Sequence, residues 1–240
     1  KDSAVTFVQN WFSDNSAQSG GAIYLEHCDL LVRSNHFDAN QSLDSITGQG
    51  GAMLIISNGQ GASKGALEDN QFSNNVATKN GGALALKQSS LRIFHNLFIG
   101  NQAYKGGGIY VDYETTDLSQ MVENDLYLNS VSASGIGEAI YNHDGNAPFS
   151  AANNYWGSSP QFADLVSKVT YQPIASNSFF DLPAPTISQV SPTQDALAGG
   201  SSITLSGSGF LTGVTVEVGA NAATSVVLDS ANQIISAIIP

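Results

Sequence analysis

Asp112, Glu114 and Asp117 fall within one short stretch, "DYETTDLSQ", and Asn142, Asp144 and Asn146 within another, "NHDGNAPFS". Oxygen-rich loops of this kind can hold Ca²⁺, which takes carboxylates and carbonyls, so Asp112, Asp117 and Asp144 are the calcium candidates. Neither loop carries the spaced acidic pattern of a calcium-binding loop, and a solvated acidic turn remains the favoured reading. Two arginines, Arg33 and Arg92, and four histidines, His27, His36, His95 and His143, complete the groups that polysaccharide cleavage would need. Elimination requires a cation beside the uronate and a base for the α-proton; hydrolysis requires two carboxylates across the glycosidic bond. The arginines do not share a position in the repeat described below, and the histidines are scattered. His36 lies just after and His95 just before a repeated asparagine, which reads as surface turns. No HxxxH or His-Cys spacing points to a transition metal.

A different chemistry is offered by Tyr24, Tyr110 and Tyr141. Each follows an inward-pointing aliphatic residue, so strand alternation turns all three outward at equivalent positions. Flat outward aromatics stack against sugar rings and leave a hydroxyl free. The intervening copies are Leu54 and Ala85, so the same column also reads as packing under a loop or a partner. With Asp112 and Glu114, these tyrosines form the candidate ligand-binding set.

What positions these residues is a repeat. "NWFSDN" at Asn10 with "GGAIYL" at Gly20 recurs as "NHFDAN" with "GGAMLI", "NQFSNN" with "GGALAL", and "NLFIGN" with "GGGIYV". A worn copy, "NDLYLN" with "GEAIYN", begins at Asn124, and "NYW" begins at Asn154. The first asparagines, Asn10, Asn35, Asn70, Asn96, Asn124 and Asn154, are spaced by 25, 35, 26, 28 and 30 residues. Such periods mean one supersecondary unit per repeat, stacked on its neighbours. Apolar residues alternate with period two, as in Ile23 and Leu25 or Leu84 and Leu86, so the units are strands, two or three per repeat.

The pattern predicts an all-β chain whose residues 1–175 form a right-handed parallel β-helix. Copies of one position then stack about 4.8 Å apart. Asparagine tolerates left-handed turns and its amide both donates and accepts, so two ladders are expected. One is the column already given; the other is Asn15, Asn40, Asn75, Asn101 and Asn129. Phe12, Phe37, Phe72 and Phe98, then Leu126 and Trp156, should stack inside. The glycine pair, followed each time by Ala or Gly, predicts a tight corner at φ > 0. From Ser159 a short helix with Phe162, Leu165, Val166 and Val169 on its apolar side should cap the open end.

All eight basic residues lie at or before Lys168, whereas Val169 to Pro240 carries acids alone among its charges. That shift marks a second module. Residues 176–184, with "SNSFFDLPAP", read as a linker, and residues 185–240 as a small β-sandwich of short alternating strands. The net charge of −12 argues against nucleic acid and anionic membranes. No apolar run is long enough to span a bilayer, so no membrane insertion is expected in this segment. Cys28 is the single cysteine, which excludes an internal disulfide; it reads as a buried apolar residue. The opening "AVTFVQN" already reads as mid-repeat, so the chain is expected to be a fragment or processed product.

The Asn-x-Phe-x-x-Asn and Gly-Gly-Ala-aliphatic phrases resemble the repeats of polymorphic outer-membrane proteins, and "NNYWGSSP" with "VTYQP" resembles the final coil of pectate-lyase-like β-helices. "PTISQVSP", "AGGSSITLSGSGF" and "VTVEVGANAA" are similar to an IPT/TIG domain, an immunoglobulin-like fold whose further strand after Pro240 the resemblance leads one to expect outside this sequence. These resemblances imply a secreted or cell-surface bacterial protein, without catalysis, that binds polysaccharide or a cell-surface protein as an adhesin or stalk. The alternatives they leave open are a pectate-lyase-like lyase or hydrolase, and a self-assembling subunit of an extracellular filament or sheath.

Overall fold

The computed structural model describes residues 3–57, 62–112, 121–143, 148–157, 165–166, 168–180, 185–193, 199–210, 214–218, 221–229 and 232–239. These residues divide into two compact units, 1–180 and 181–240. Among the described residues every regular element is a strand.

The first unit is a β-solenoid of about five coils, each with four strands rather than the two or three expected. Sheet A stacks Ser3–Val8, Cys28–Arg33, Ser63–Glu68, Ser89–Phe94 and Met121–Val122 in parallel. Sheet B stacks Trp11–Ser13, His36–Asp38, Gln71–Ser73, Leu97–Ile99 and Asp125–Tyr127. Sheet C runs from Ser16–Ala17 to Ser130–Ile136, and sheet D from Ile23–Glu26 through Ile140–Asn142 to Leu165–Val166. The shortest strands hold two residues, which is why alternation alone undercounted them.

The ladders explain why the corners demand asparagine. Asn70 donates its backbone N–H and its Nδ2 to Asn96 Oδ1 at 3.0 and 2.9 Å, and gives its other amide proton to Val32 O at 2.8 Å. Its own Oδ1 accepts from the N and Nδ2 of Asn35. Two donors and two lone pairs are thus all used, in a fully buried position. Asn75 repeats the arrangement between Asn40 and Asn101 in the second ladder. The left-handed residue, however, is the one before each asparagine: Gln9, Ser34, Asp69, His95, Glu123 and Asn153 at the first corner all have φ of 52–58°. Asparagine is selected for its amide, not for its backbone.

The glycine pair splits into two requirements. Gly50 turns at φ 64°, as expected of a tight corner. Gly51 is needed for closeness, since a Cβ there would lie 2.0 Å from the Gly82 carbonyl oxygen one coil on. Inside, Phe12, Phe37, Phe72 and Phe98 stack with centroids 4.7–4.9 Å apart and planes within 6°. Leu126 and Trp156 continue the same core.

Leu165, Val166 and Val169, expected on the apolar side of a capping helix, stand on strands that continue the stacking. Leu165–Val166 pairs with Ile140 and Tyr141 in sheet D, and Val169–Thr170 pairs with Phe149–Ser150. Ser159, Pro160 and Phe162 lie outside the described residues. Val169, Tyr171 and Ile174 pack against the solenoid core, so period two wins over the helical spacing that the same apolar residues also fit.

The second unit pairs Thr186–Ser191, Ser202–Ser208, Ile234–Ile238 and Thr224–Asp229 into one antiparallel sheet, with Glu217–Val218 and Asn221–Ala222 forming another. Ile203, Leu205, Phe210, Val216, Ile235 and Ala237 are its core.

Candidate functional site

The three tyrosines do share one column. Register in sheet D runs Tyr24, Leu54, Ala85, Tyr110 and Tyr141, each on the outer face. Their surroundings differ. Tyr24 is 48% exposed, whereas Tyr110 and Tyr141 are 5% and 4% exposed and close a second apolar cluster with Leu54 and Ala85. Their rings stack 5.6 Å apart and within 5° of parallel, and Lys105 Nζ lies 5.0 Å from the Tyr141 centroid. The Tyr110 hydroxyl donates to Asp112 at 3.4 Å. Tyr24, whose hydroxyl reaches Glu26 at 3.4 Å, is therefore the member with an open ring face. The outward Leu54 and Ala85 were the signal that this face is covered.

Asp112 is buried, and its N–H donates to Leu86 O at 2.8 Å as sheet D ends. Glu114, Asp117 and Asp144 lie outside the described residues. Among the described residues no group of three or more His, Cys, Asp and Glu side chains is close enough to hold a metal ion. Arg33 and Arg92 stand on the outer face of sheet A but at different positions, in register with Glu68 and Ala66 respectively. Arg92 reaches Glu68 at 2.7 Å and covers the Phe94 ring at 4.4 Å. The arginines and Asp112 thus belong to different sheets and do not converge.

Of the histidines, His95 occupies a left-handed turn at φ 52° and meets Asp69 at 2.8 Å. His36 instead lies within a sheet B strand, stacked 3.9 Å from Trp11 with planes 12° apart. Burial holds His36 below its ordinary pKa, against the opposing charge of Asp38. Trp11 itself is 67% exposed. Cys28 is half-buried at the edge of the core.

Sequence reasoning missed an open groove on sheet A. It is shallow, with a volume of about 420 Å³, and is lined by Ala4, Thr6, Asp29, Leu31, Lys64 and Gly65. Gly65 interrupts the inward column of this sheet. It takes the position of Leu30 and Leu91 in neighbouring coils, at φ 133°, where a Cβ would lie 1.9 Å from Leu30 O. Asp29 and Lys64 are direct register partners on its rim, yet neither forms an ion pair among the described residues. A carboxylate acceptor and an ammonium donor thus flank a partly apolar floor. The interruption in "SKGALE" was the available signal.

Known families match both units. The repeat of the Chlamydia polymorphic membrane proteins matches residues 12–26, 71–87 and 97–112, each match running from sheet B into sheet D. The IPT/TIG domain matches residues 185–240. A search of curated proteins and a search of solved structures each return no match. The repeats and the domain together suggest a surface or outer-membrane-associated protein.

Proposed function

We propose that the chain is a non-catalytic segment of a secreted or cell-surface adhesion protein, in which the solenoid is a stiff stalk presenting one outer sheet to carbohydrate. The TIG domain serves as spacer or second adhesion module. The observation that carries this reading is the sheet A groove, an open face with an unpaired acid and base over small and apolar residues. Such a rim suits the hydroxyls of an uncharged sugar, which accept from an ammonium and donate to a carboxylate, while the ring's C–H face lies on Leu31 and Thr6. Rigidity supports presentation, because ladders and stacked rings fix each coil on the next and little order remains to be lost on binding. The surface charge of −12 disfavours polyanionic ligands.

A glycan array, read with and without Ca²⁺ and followed for cleavage of the same glycans, tests this. Binding without cleavage, lowered at least about tenfold by Lys64→Ala or Asp29→Asn, is the expected result. Cleavage of any bound glycan would promote the enzyme reading. Binding indifferent to both substitutions but lost in Tyr24→Ala would move the site to sheet D, and dependence on Ca²⁺ would return attention to the Asp112 loop.

A further inference from the structure

On sheet B, Leu97 and Ile99 flank the inward Phe98 and so point away from the core, yet both are fully buried. The register partner of Leu97 one coil on, Asp125, also faces outward and is also fully buried. Something outside the coil covers this patch. The segment Ser178–Phe180 is bound there: Phe179 N–H donates to Asp125 Oδ1 at 3.0 Å, and the Ser178 hydroxyl donates to the other carboxylate oxygen. Phe180 stacks on His95 at 4.8 Å, Phe179 meets the same ring edge-on at 6.3 Å, and Phe180 N–H closes a small turn onto Ser178 Oγ at 3.0 Å.

We propose that Ser178–Phe180 is a displaceable latch that docks on the Asp125–His95 site and sets how much free chain joins the solenoid to the TIG domain. Among the described residues the attachment consists of these hydrogen bonds and ring contacts, with no strand pairing. Asp125 must be desolvated for the latch to seat, and burial pushes its carboxyl above the ordinary range despite the hydrogen bonds from Phe179 and Ser178. A seat that costs desolvation and returns two hydrogen bonds and a ring stack is near balance, as a switchable contact must be.

The consequence is a change of reach. Ala175 is the last residue before the latch whose N–H bonds to a coil, at Asn154 O. With the latch docked, the chain from Phe180 to the first TIG strand at Thr186 spans at most about 20 Å; released back to Ala175, it spans at most about 37 Å.

Limited chymotrypsin digestion of the full chain, read by mass spectrometry, tests the latch through cleavage after Phe179 and Phe180. Wild type should be cut there slowly, and Asp125→Ala at least about tenfold faster, since cleavage follows the population of the open form. Ser178→Ala alters the latch and leaves the coils untouched, and should accelerate cleavage in the same direction while the solenoid's melting midpoint stays put. One cleavage rate shared by wild type and both variants, fast or slow, overturns the proposal, as does acceleration in Asp125→Ala that appears only with a lowered solenoid midpoint and not in Ser178→Ala.

Discussion

Along the core the solenoid writes one residue at one position, Phe12, Phe37, Phe72 and Phe98; on the outer face of sheet D the corresponding column reads Tyr24, Leu54, Ala85, Tyr110 and Tyr141. The inner ring has its own copies as neighbours above and below, so a single shape satisfies every coil. An outer residue meets solvent at one coil and an apolar cluster at another, and its identity follows that local cover. Repetition therefore reports what holds the stack together, and departure from repetition reports what each coil does with its surface.

The largest test of that contrast is Phe72→Ala. Phe72 is fully buried between two stacked rings, at 4.7 and 4.9 Å. Its removal opens a cavity that the ladder corners on either side prevent from collapsing, at a cost of about 4 kcal/mol. Phe12, at the first coil, is only partly buried, and Phe12→Ala should cost about half as much. Denaturant titration of the solenoid, with the TIG domain followed separately, reads both. Equal costs would mean that position in the stack does not matter and the core is not built from neighbour contacts.

A smaller effect sharpens the outer half of the comparison. Tyr110→Ala removes a nearly buried ring from the second apolar cluster and should cost about 3 kcal/mol. Tyr24→Ala, at the same position three coils earlier, should change stability by less than about 0.5 kcal/mol. Thermal unfolding of the two variants side by side decides it. A comparable loss in both would show that the outer column is one continuous structural stripe.

Legibility in the sequence follows the same division. The ladder asparagines, inward phenylalanines and parallel stacking were readable because a buried position recurs with its environment, so one chemical reason repeats visibly. The left-handed residue was misplaced by one, because Gln9, Ser34, Asp69, His95 and Glu123 share a backbone and no side-chain type. Leu165, Val166 and Val169 were misread as helical because they satisfy a helical spacing and a strand pairing alike, and tertiary stacking chose between them. On the surface, Leu54 and Ala85 marked the tyrosine column as covered without telling Tyr24 from Tyr110, and the sheet A groove is lined by residues of three coils that no single local phrase joins. Asp125 and the Ser178–Phe180 segment are more than fifty residues apart, so their contact left no short-range mark.

The smallest effect concerns ionisation, and again separates one outer residue from its equivalents. Tyr127 lies two residues after Asp125 on the outer side of sheet B, edge-on to Tyr155 at 5.6 Å. Burial, then the Asp125 charge, then Tyr155 push its phenol from 10.0 up to about 12. Burial and the nearby charge both disfavour the phenolate. Because the folded value is the higher one, the folded chain holds this proton more tightly than the unfolded chain does. The stabilising contribution is complete below about pH 10 and is lost as pH rises from there through about 12. An ultraviolet phenolate titration should show a late-ionising step that vanishes in Tyr127→Phe and moves to lower pH in Asp125→Asn. If wild type and Tyr127→Phe showed the same titration above pH 10 while the fold persisted, Tyr127 would be an ordinary exposed phenol, and the covered patch around Asp125 would be open to water.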